Sequence, residues 1–123
     1  MLNSENISPK EQLILNILWK NGELSVREVQ NQIETKTGWA YSTTKTRMDR
    51  MAKKGLLERF EFHGVLLYKP MISRSEGLAH WVKFVADGIF ETDYSNVVNM
   101  FSENIDLSNA EKSELIKLLE EDE

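Results

Sequence analysis

The strongest constraint on this fold is a change of period at Gly55. Before it, apolar residues recur every three or four positions. After it, Leu57-Glu58-Arg59-Phe60-Glu61-Phe62 and Val65-Leu66-Leu67-Tyr68-Lys69 are β-rich runs separated by His63-Gly64. That pair suits a two-residue hairpin turn, and Pro70, which lacks an N–H for the ladder, ends the second run. A hairpin here is either a generic element packing on helices or a wing. Its position directly after three helices favours the wing.

The three preceding helices are legible from their ends. Ser8-Pro9-Lys10-Glu11 supplies a capping Ser, a Pro at the first helical position and the Glu of a capping box. Leu13, Ile14, Ile17 and Leu18 give this helix an apolar face, Asn21-Gly22 stops it, and Trp19 is read as core. Met1 to Ile7 reads as a loose arm. Glu23-Leu24 is a short connection or isolated strand. Ser25-Val26-Arg27-Glu28 then repeats the box, with Val26, Val29 and Ile33 as a narrow stripe down to Thr37-Gly38.

The third helix runs from an N-cap at Ser42 to a stop at Gly55. On a helical projection Thr44, Met48, Met51 and Ala52 fall on the core side. Thr43, Thr46, Arg47, Arg50, Lys53 and Lys54 fall on the other, with Asp49 at the margin. Small hydroxyl residues among cations let a helix approach a phosphate backbone closely, while Lys and Arg reach phosphates and guanine. Two short helices followed by a third with a cationic outer face is the order of a helix-turn-helix.

A net charge of −5 looks wrong for such a protein until it is divided along the chain. Residues 42–59 carry six cations against Asp49 and Glu58, whereas residues 74–123 carry four cations against twelve anions. A basic segment is therefore followed by an acidic half. The 123 residues, 41% of them hydrophobic, fit one domain or two small ones, and the absence of cysteine excludes disulfides and thiolate metal sites. His63 and His80 form no metal-ligand spacing, so neither a metal nor a cofactor is expected. The N-terminus has no signal pattern and no apolar run approaches membrane-spanning length, so the expectation is cytoplasmic, without membrane insertion. No Gly-rich phosphate loop or nucleophile–base constellation is present, which argues against an enzyme.

From Ser73 the chain is acidic and helical. Ser73-x-x-Glu76 opens a helix with Leu78, Trp81, Val82, Val85 and Ile89 in helical register, Phe84 and Phe90 beside them, and Gly88 weakening the last turn. A second helix starts at the N-cap Asp93 and carries Tyr94, Val97, Val98 and Phe101. A third starts at Ser108-x-x-Glu111 and carries Leu115, Leu118 and Leu119. Three short helices are too few to enclose a core comfortably. They either fold back on the winged helix or pair with a second copy, and pairing buries more. The expected dimer interface is Leu78, Trp81, Val82, Val85, Ile89, Val97, Val98, Phe101, Leu115, Leu118 and Leu119. The acidic tail Glu120-Glu121-Asp122-Glu123 would then face away from a polyanion.

The expected architecture is mainly α with a small β-hairpin: a winged helix-turn-helix over 1–72 and a three-helix dimerisation domain over 73–123. Ser42-Thr43-Thr44-Lys45-Thr46, continuing through Arg50-Met51-x-Lys53-Lys54-Gly55-Leu56-Leu57, resembles the recognition helix and wing start of the penicillinase-repressor group of bacterial transcription repressors (the BlaI, MecI and CopY types). Ile17-Leu18-Trp19, Ser25-x-x-Glu28-Val29 and Val97-Val98-x-x-Phe101 extend the likeness over nearly the whole chain.

The resemblance implies a homodimer that binds a palindromic operator in double-stranded DNA and blocks transcription. In antibiotic-resistance members a membrane sensor-protease relieves repression by triggering cleavage of an Asn-Phe bond in the second C-terminal helix. The aligned pair here, the candidate cleavage site, is Met100-Phe101, with Asn99 one place earlier. Copper-responsive members sense metal through a cysteine motif that this chain lacks.

With the recognition helix in the major groove, Ser42, Thr43 and the N–H groups of the first turn face phosphates. Lys45 and Thr46 match family positions that reach base edges. Arg47, Arg50, Lys53 and Lys54 hold phosphates, and Arg59 with His63 forms the wing contact. Two other readings compete. One is a winged-helix regulator released by a small molecule bound among Trp39, Trp81, Tyr41 and Phe84. The other is a winged helix used for protein interaction, against which the basic Ser/Thr-rich helix argues.

Overall fold

A computed structural model describes residues 7–121, and the chain divides into two compact units, Met1–Ser73 and Arg74–Glu123. The first contains α1 (Pro9–Asn21), α2 (Val26–Thr37), α3 (Tyr41–Lys53) and an antiparallel hairpin of β1 (Leu57–Phe62) and β2 (Val65–Pro70). The second contains α4 (Arg74–Val85), a π-helical turn over Ala86–Phe90, α5 (Tyr94–Asn104) and α6 (Asn109–Glu121). The arm expected at Met1 to Ile7 lies, but for Ile7, outside the described residues, as do the last two residues of the acidic tail. Ile7 itself is 3% exposed and belongs to the core, not to a free arm.

Both N-terminal capping boxes form as the spacing predicts. The Glu11 amide donates to Ser8 Oγ at 3.2 Å and the Ser8 amide to Glu11 Oε1 at 2.9 Å. Ser25 and Glu28 repeat this at 3.2 and 3.0 Å. Each box satisfies two backbone donors that a helix start otherwise leaves without a partner. α1 is less faithful to its expected face: Ile14, Leu15 and Leu18 are fully buried, while Leu13 and Ile17 are half-buried. α2 buries Val26, Val29 and Ile33 as expected, and ends at Gly38 in the left-handed conformation.

The hairpin pairs Leu57 with Pro70 through to Phe62 with Val65. His63 and Gly64 both take positive φ, 52° and 79°, the backbone that a two-residue turn needs to match strand twist. Leu24 bridges to Tyr68 by two backbone hydrogen bonds of 3.1 and 2.8 Å, so the connection before α2 acts as a short third strand. Trp19 donates its indole N–H to the Ile72 carbonyl at 3.0 Å, tying α1 to the segment after β2. Tyr68, Met48, Met51 and Leu56 complete the buried interior beneath α3 and the sheet.

The second unit has an apolar interior of its own. Leu78, Ala79, Val82, Ala86, Val97, Val98, Leu115 and Leu119 are buried within it. Ser75 donates to the Glu111 carbonyl at 3.0 Å, and Arg74 donates to the Asp106 carbonyl at 3.1 Å, joining α4 to the start of α6. The Ser108–Glu111 capping box forms as expected, both bonds being 3.1 Å. Asp93 is at the N-cap of α5 but makes no side-chain capping bond. Where Gly88 was expected only to weaken a helical turn, the backbone widens into the π turn and leaves it through Glu91 at φ 49°.

Candidate nucleic-acid interface

α3 starts two residues earlier than its sequence suggests. Ala40 is its N-cap and makes no side-chain capping bond, so Ser42 is the second helical residue and not the cap. Gly55 does end the helix. Its amide donates to the Ala52 carbonyl at 3.2 Å and that of Leu56 to the Met51 carbonyl at 2.9 Å, a Schellman ending with Gly55 at φ 85°. Thr44, Met48 and Met51 are buried and Ala52 half-buried. Ser42, Thr46, Arg50 and Lys53 are exposed, and Thr43 is half-buried. Among the described residues Arg50 and Lys53 enter no ion pair, which leaves their charge for a ligand.

The other cations are held. Lys45 Nζ lies 2.7 Å from Asp49 Oδ2 one turn along α3, and Arg59 Nη1 on β1 lies 3.2 Å from Asp49 Oδ1. The fully buried Tyr68 on β2 donates its hydroxyl to the same Oδ1 at 2.6 Å. Asp49, marginal on the helix projection, is therefore the junction of α3 and the hairpin. Burial acts to raise the pKa of Asp49, but hydrogen bonds from Lys45 and Tyr68 and the nearby charges of Lys45 and Arg59 outweigh it. The carboxyl is held below its ordinary value. Tyr68 is pushed up to about 12, by burial first and then by the Asp49 carboxylate that its hydroxyl faces.

Lys54 is placed differently from its expected phosphate role. Its Nζ donates to both carboxylate oxygens of Glu11, at 2.9 and 3.0 Å, linking the end of α3 to the start of α1. Arg47 lies half-buried over the Trp39 ring at 4.6 Å, with its Nε buried and without a hydrogen-bond partner among the described residues. Arg27 of α2 lies over the Tyr41 ring at 4.5 Å and donates to Gln30 Oε1 at 2.7 Å. Arg27 thus joins the basic surface at the front of α3, a role that nothing in the sequence around position 27 signals, because the pairing with Tyr41 is tertiary. At the wing tip His63 is exposed and meets Phe62 edge-on at 4.2 Å. Phe62, Val65 and Leu66 around it are exposed apolar residues.

The family model for the penicillinase repressor matches residues 7–121. The chain belongs to that family. The penicillinase repressor family is one of transcriptional regulators and not of enzymes. The chain is similar to the penicillinase repressor of Bacillus licheniformis, 28% identical over 115 residues that cover 94% of this chain and 90% of that protein. It is also similar to the methicillin resistance regulatory protein MecI of Staphylococcus aureus strain N315, 26% identical over 113 residues and 92% of each chain. Two solved structures align with 62% of this chain and 93% of their own, both at 28% identity. They are the DNA-binding domain of the repressor BlaI, with a TM-score of 0.53, and the monomeric B. licheniformis BlaI in complex with the blaP half-operator, with a TM-score of 0.54. The fold is accordingly the winged helix of this penicillinase repressor family, followed by three helices.

In the second unit the residues expected at a dimer seam separate into three groups. Leu78, Val82, Val97, Val98, Leu115 and Leu119 are buried in the unit's own interior. Trp81, Val85, Phe101 and Leu118 are half-buried, and Ile89 is 55% exposed. The apolar side chains left outside are Phe84, Ile89, Phe90, Met100 and Ile116. Of the aromatics considered for a ligand, Trp39 and Tyr41 each carry an arginine on the ring, while Trp81 and Phe84 pack edge-on at 5.9 Å. A cavity of about 550 Å³ is walled instead by residues such as Asp87, Asp93, Tyr94, Val98, Ile116 and Glu120, all in the second unit. Among the described residues no helix is long and apolar enough to cross a membrane.

Proposed function

We propose that this chain is a sequence-specific DNA-binding repressor that acts as a homodimer on a palindromic operator. The observation that carries the reading is the outer face of α3. Ser42, Thr46, Arg50 and Lys53 stand exposed in one stripe, and the N-cap Ala40 supplies no side-chain acceptor to the first amides. Such a start offers donors to a phosphate, and the positive end of the helix favours the anion. The BlaI domain to which this unit is similar has been solved on a half-operator, which supports the same use of the surface here.

The roles divide along the helix. Ser42 and Thr43 contact phosphates at the front, Thr46 packs on or donates to a base edge, and Arg50 and Lys53 hold phosphates behind. Arg27 and Arg47, fixed against Tyr41 and Trp39, add positive charge on the flank. Arg59 and His63 serve the wing. Selection of binding sites from a random duplex pool, followed by titration of the selected and scrambled duplexes, tests this reading. Recovery of no motif, with equal affinity for both duplexes, would sink it.

Dimerisation in this reading uses the apolar side chains that the second unit leaves outside, with Ile89 as the residue shared with the sequence expectation. Two linked recognition helices gain roughly 10²–10⁴ in avidity when spacing fits. Any event that separates the second units therefore releases the operator without altering α3. Cleavage at Met100-Phe101 by a sensor-protease or its effector is one such event, with genes of β-lactam resistance as the candidate targets. Met100 is 43% exposed near the middle of α5, so a protease must first unwind that helix. Mass spectrometry of the chain after induction of its host reads the cleavage point directly.

A further inference from the structure

The second role of Asp49 emerges from what surrounds it. A carboxylate in a DNA-facing surface is costly, because it repels phosphates and cancels one cation of the attraction. Here it lies between two of the cations that the surface needs, 2.7 Å from Lys45 and 3.2 Å from Arg59. It is anchored from behind by the buried Tyr68 hydroxyl at 2.6 Å, which favours this position over one turned away from the cations. A neutral amide oxygen at this position still accepts the Tyr68 hydrogen bond, more weakly than the carboxylate, so the contact that joins α3 to β2 does not depend wholly on the charge. Arg50, the next residue, and Lys53, one turn further on, enter no ion pair with it or with any other carboxylate among the described residues. The carboxylate is thus committed to Lys45 and Arg59 and not to the two cations that follow it on the helix.

We infer that Asp49 is a specificity-determining residue, which positions Lys45 and Arg59 and withholds them from the phosphates of non-cognate DNA. This rests on the DNA-binding reading above. Non-specific affinity comes essentially from phosphate neutralisation and counterion release, so an embedded carboxylate reduces it directly. At the cognate site Lys45 exchanges Asp49 for a base acceptor, such as guanine O6 or N7, and the loss is offset there alone. Discrimination rises because the wrong partner is disfavoured more than the right one.

The test uses the full chain, with an operator selected from random duplexes by the wild type and a scrambled duplex of equal length. Affinities are measured at several KCl concentrations. Asp49→Asn is expected to tighten scrambled-duplex binding roughly five- to tenfold and to steepen its salt slope by about one unit. The ratio of operator to scrambled affinity then falls roughly tenfold, within what one base contact is worth. Adding Lys45→Gln to Asp49→Asn should return the scrambled affinity to within about twofold of wild type, since removing one cation restores the net charge that loss of the carboxylate had raised. Asp49→Glu should keep the ratio.

Thermal unfolding checks that each variant is folded, and Asp49→Ser replaces the Asn variant if that one is not. An unchanged ratio in the neutral variants, or equal weakening on both duplexes, overturns the inference and leaves Asp49 a purely structural residue. Failure of the wild type to select any sequence would instead overturn the DNA-binding reading beneath it.

Discussion

At the scale of single residues, the basic face of α3 is less uniform than its composition. Arg50 and Lys53 are exposed and in no ion pair among the described residues, whereas Lys54 is held by Glu11. Arg50→Ala or Lys53→Ala should therefore weaken binding to every duplex alike and flatten the salt dependence by about one unit. Lys54→Ala should act first on stability, visible in the thermal midpoint, with a smaller change in slope. Thr46→Ala should alter preference among operator bases by about 1–3 kcal/mol if it reads a base, and a uniform loss on all variants would contradict that role. The Asp49–Tyr68 pair adds a pH signature. Asp49, with a folded pKa below 3.8, contributes stability that is in place above 3.8 and is lost as pH falls through the lowered value. Tyr68, raised from 10.0 to about 12, contributes stability complete below pH 10 and lost as pH rises towards 12. The difference in thermal midpoint between wild type and Asp49→Asn should accordingly narrow below pH 3.8.

At the scale of elements, the hairpin is fixed by its turn and by what lies beneath it. Gly64 sits at φ 79° with open space where a methyl group would stand, so Gly64→Ala is opposed by backbone conformation alone, at about 1–2 kcal/mol. His63 is held in the same left-handed region at φ 52°. Because Asn tolerates that region better, His63→Asn should raise the unfolding midpoint while removing the imidazole from the wing tip. A gain in stability with a loss of operator affinity would assign His63 to binding. A loss of stability would show that its edge-on contact with Phe62 matters more than its backbone. Among the helices, Ser25→Ala should cost about 1 kcal/mol through the lost cap of α2.

At the scale of the whole molecule, the two units carry separate interiors, and the consequence for the tail is concrete. Val98 is 2% exposed inside the second unit, so Val98→Asp buries a charge and should unfold that unit. Ile89→Glu alters a side chain that is 55% exposed, and should leave the helices intact by circular dichroism. If the outer apolar residues form the dimer, sedimentation will show monomers for Ile89→Glu and operator affinity will fall by roughly 10²–10⁴. A dimer that survives Ile89→Glu would move the interface elsewhere. A fragment ending at Ser73 retains α1 to β2 and their interior, and should bind a half-site with no concentration-dependent dimerisation.

The elements and their order were legible in the chain before any folding, because the signals involved are local. Capping boxes at Ser8 and Ser25, the Gly55 ending and the His63-Gly64 turn each depend on residues a few places apart, and each formed as its spacing predicts. The buried side of α3 was legible for the same reason, through its 3.6-residue period. The Lys45–Asp49 pair, one turn apart on α3, is just as local, but the other cations were engaged only when distant segments met. Lys54 reaches Glu11 across 43 positions, and Tyr68 reaches Asp49 across 19. Such pairings depend on chain segments brought together by burial of the core, and a charge pattern read along one helix contains no record of a partner on another element. The same holds for the tail. Its helical periodicity identified the apolar residues, but a period cannot say whether an apolar stripe packs on its own chain or faces outward, as Val98 and Ile89 respectively do.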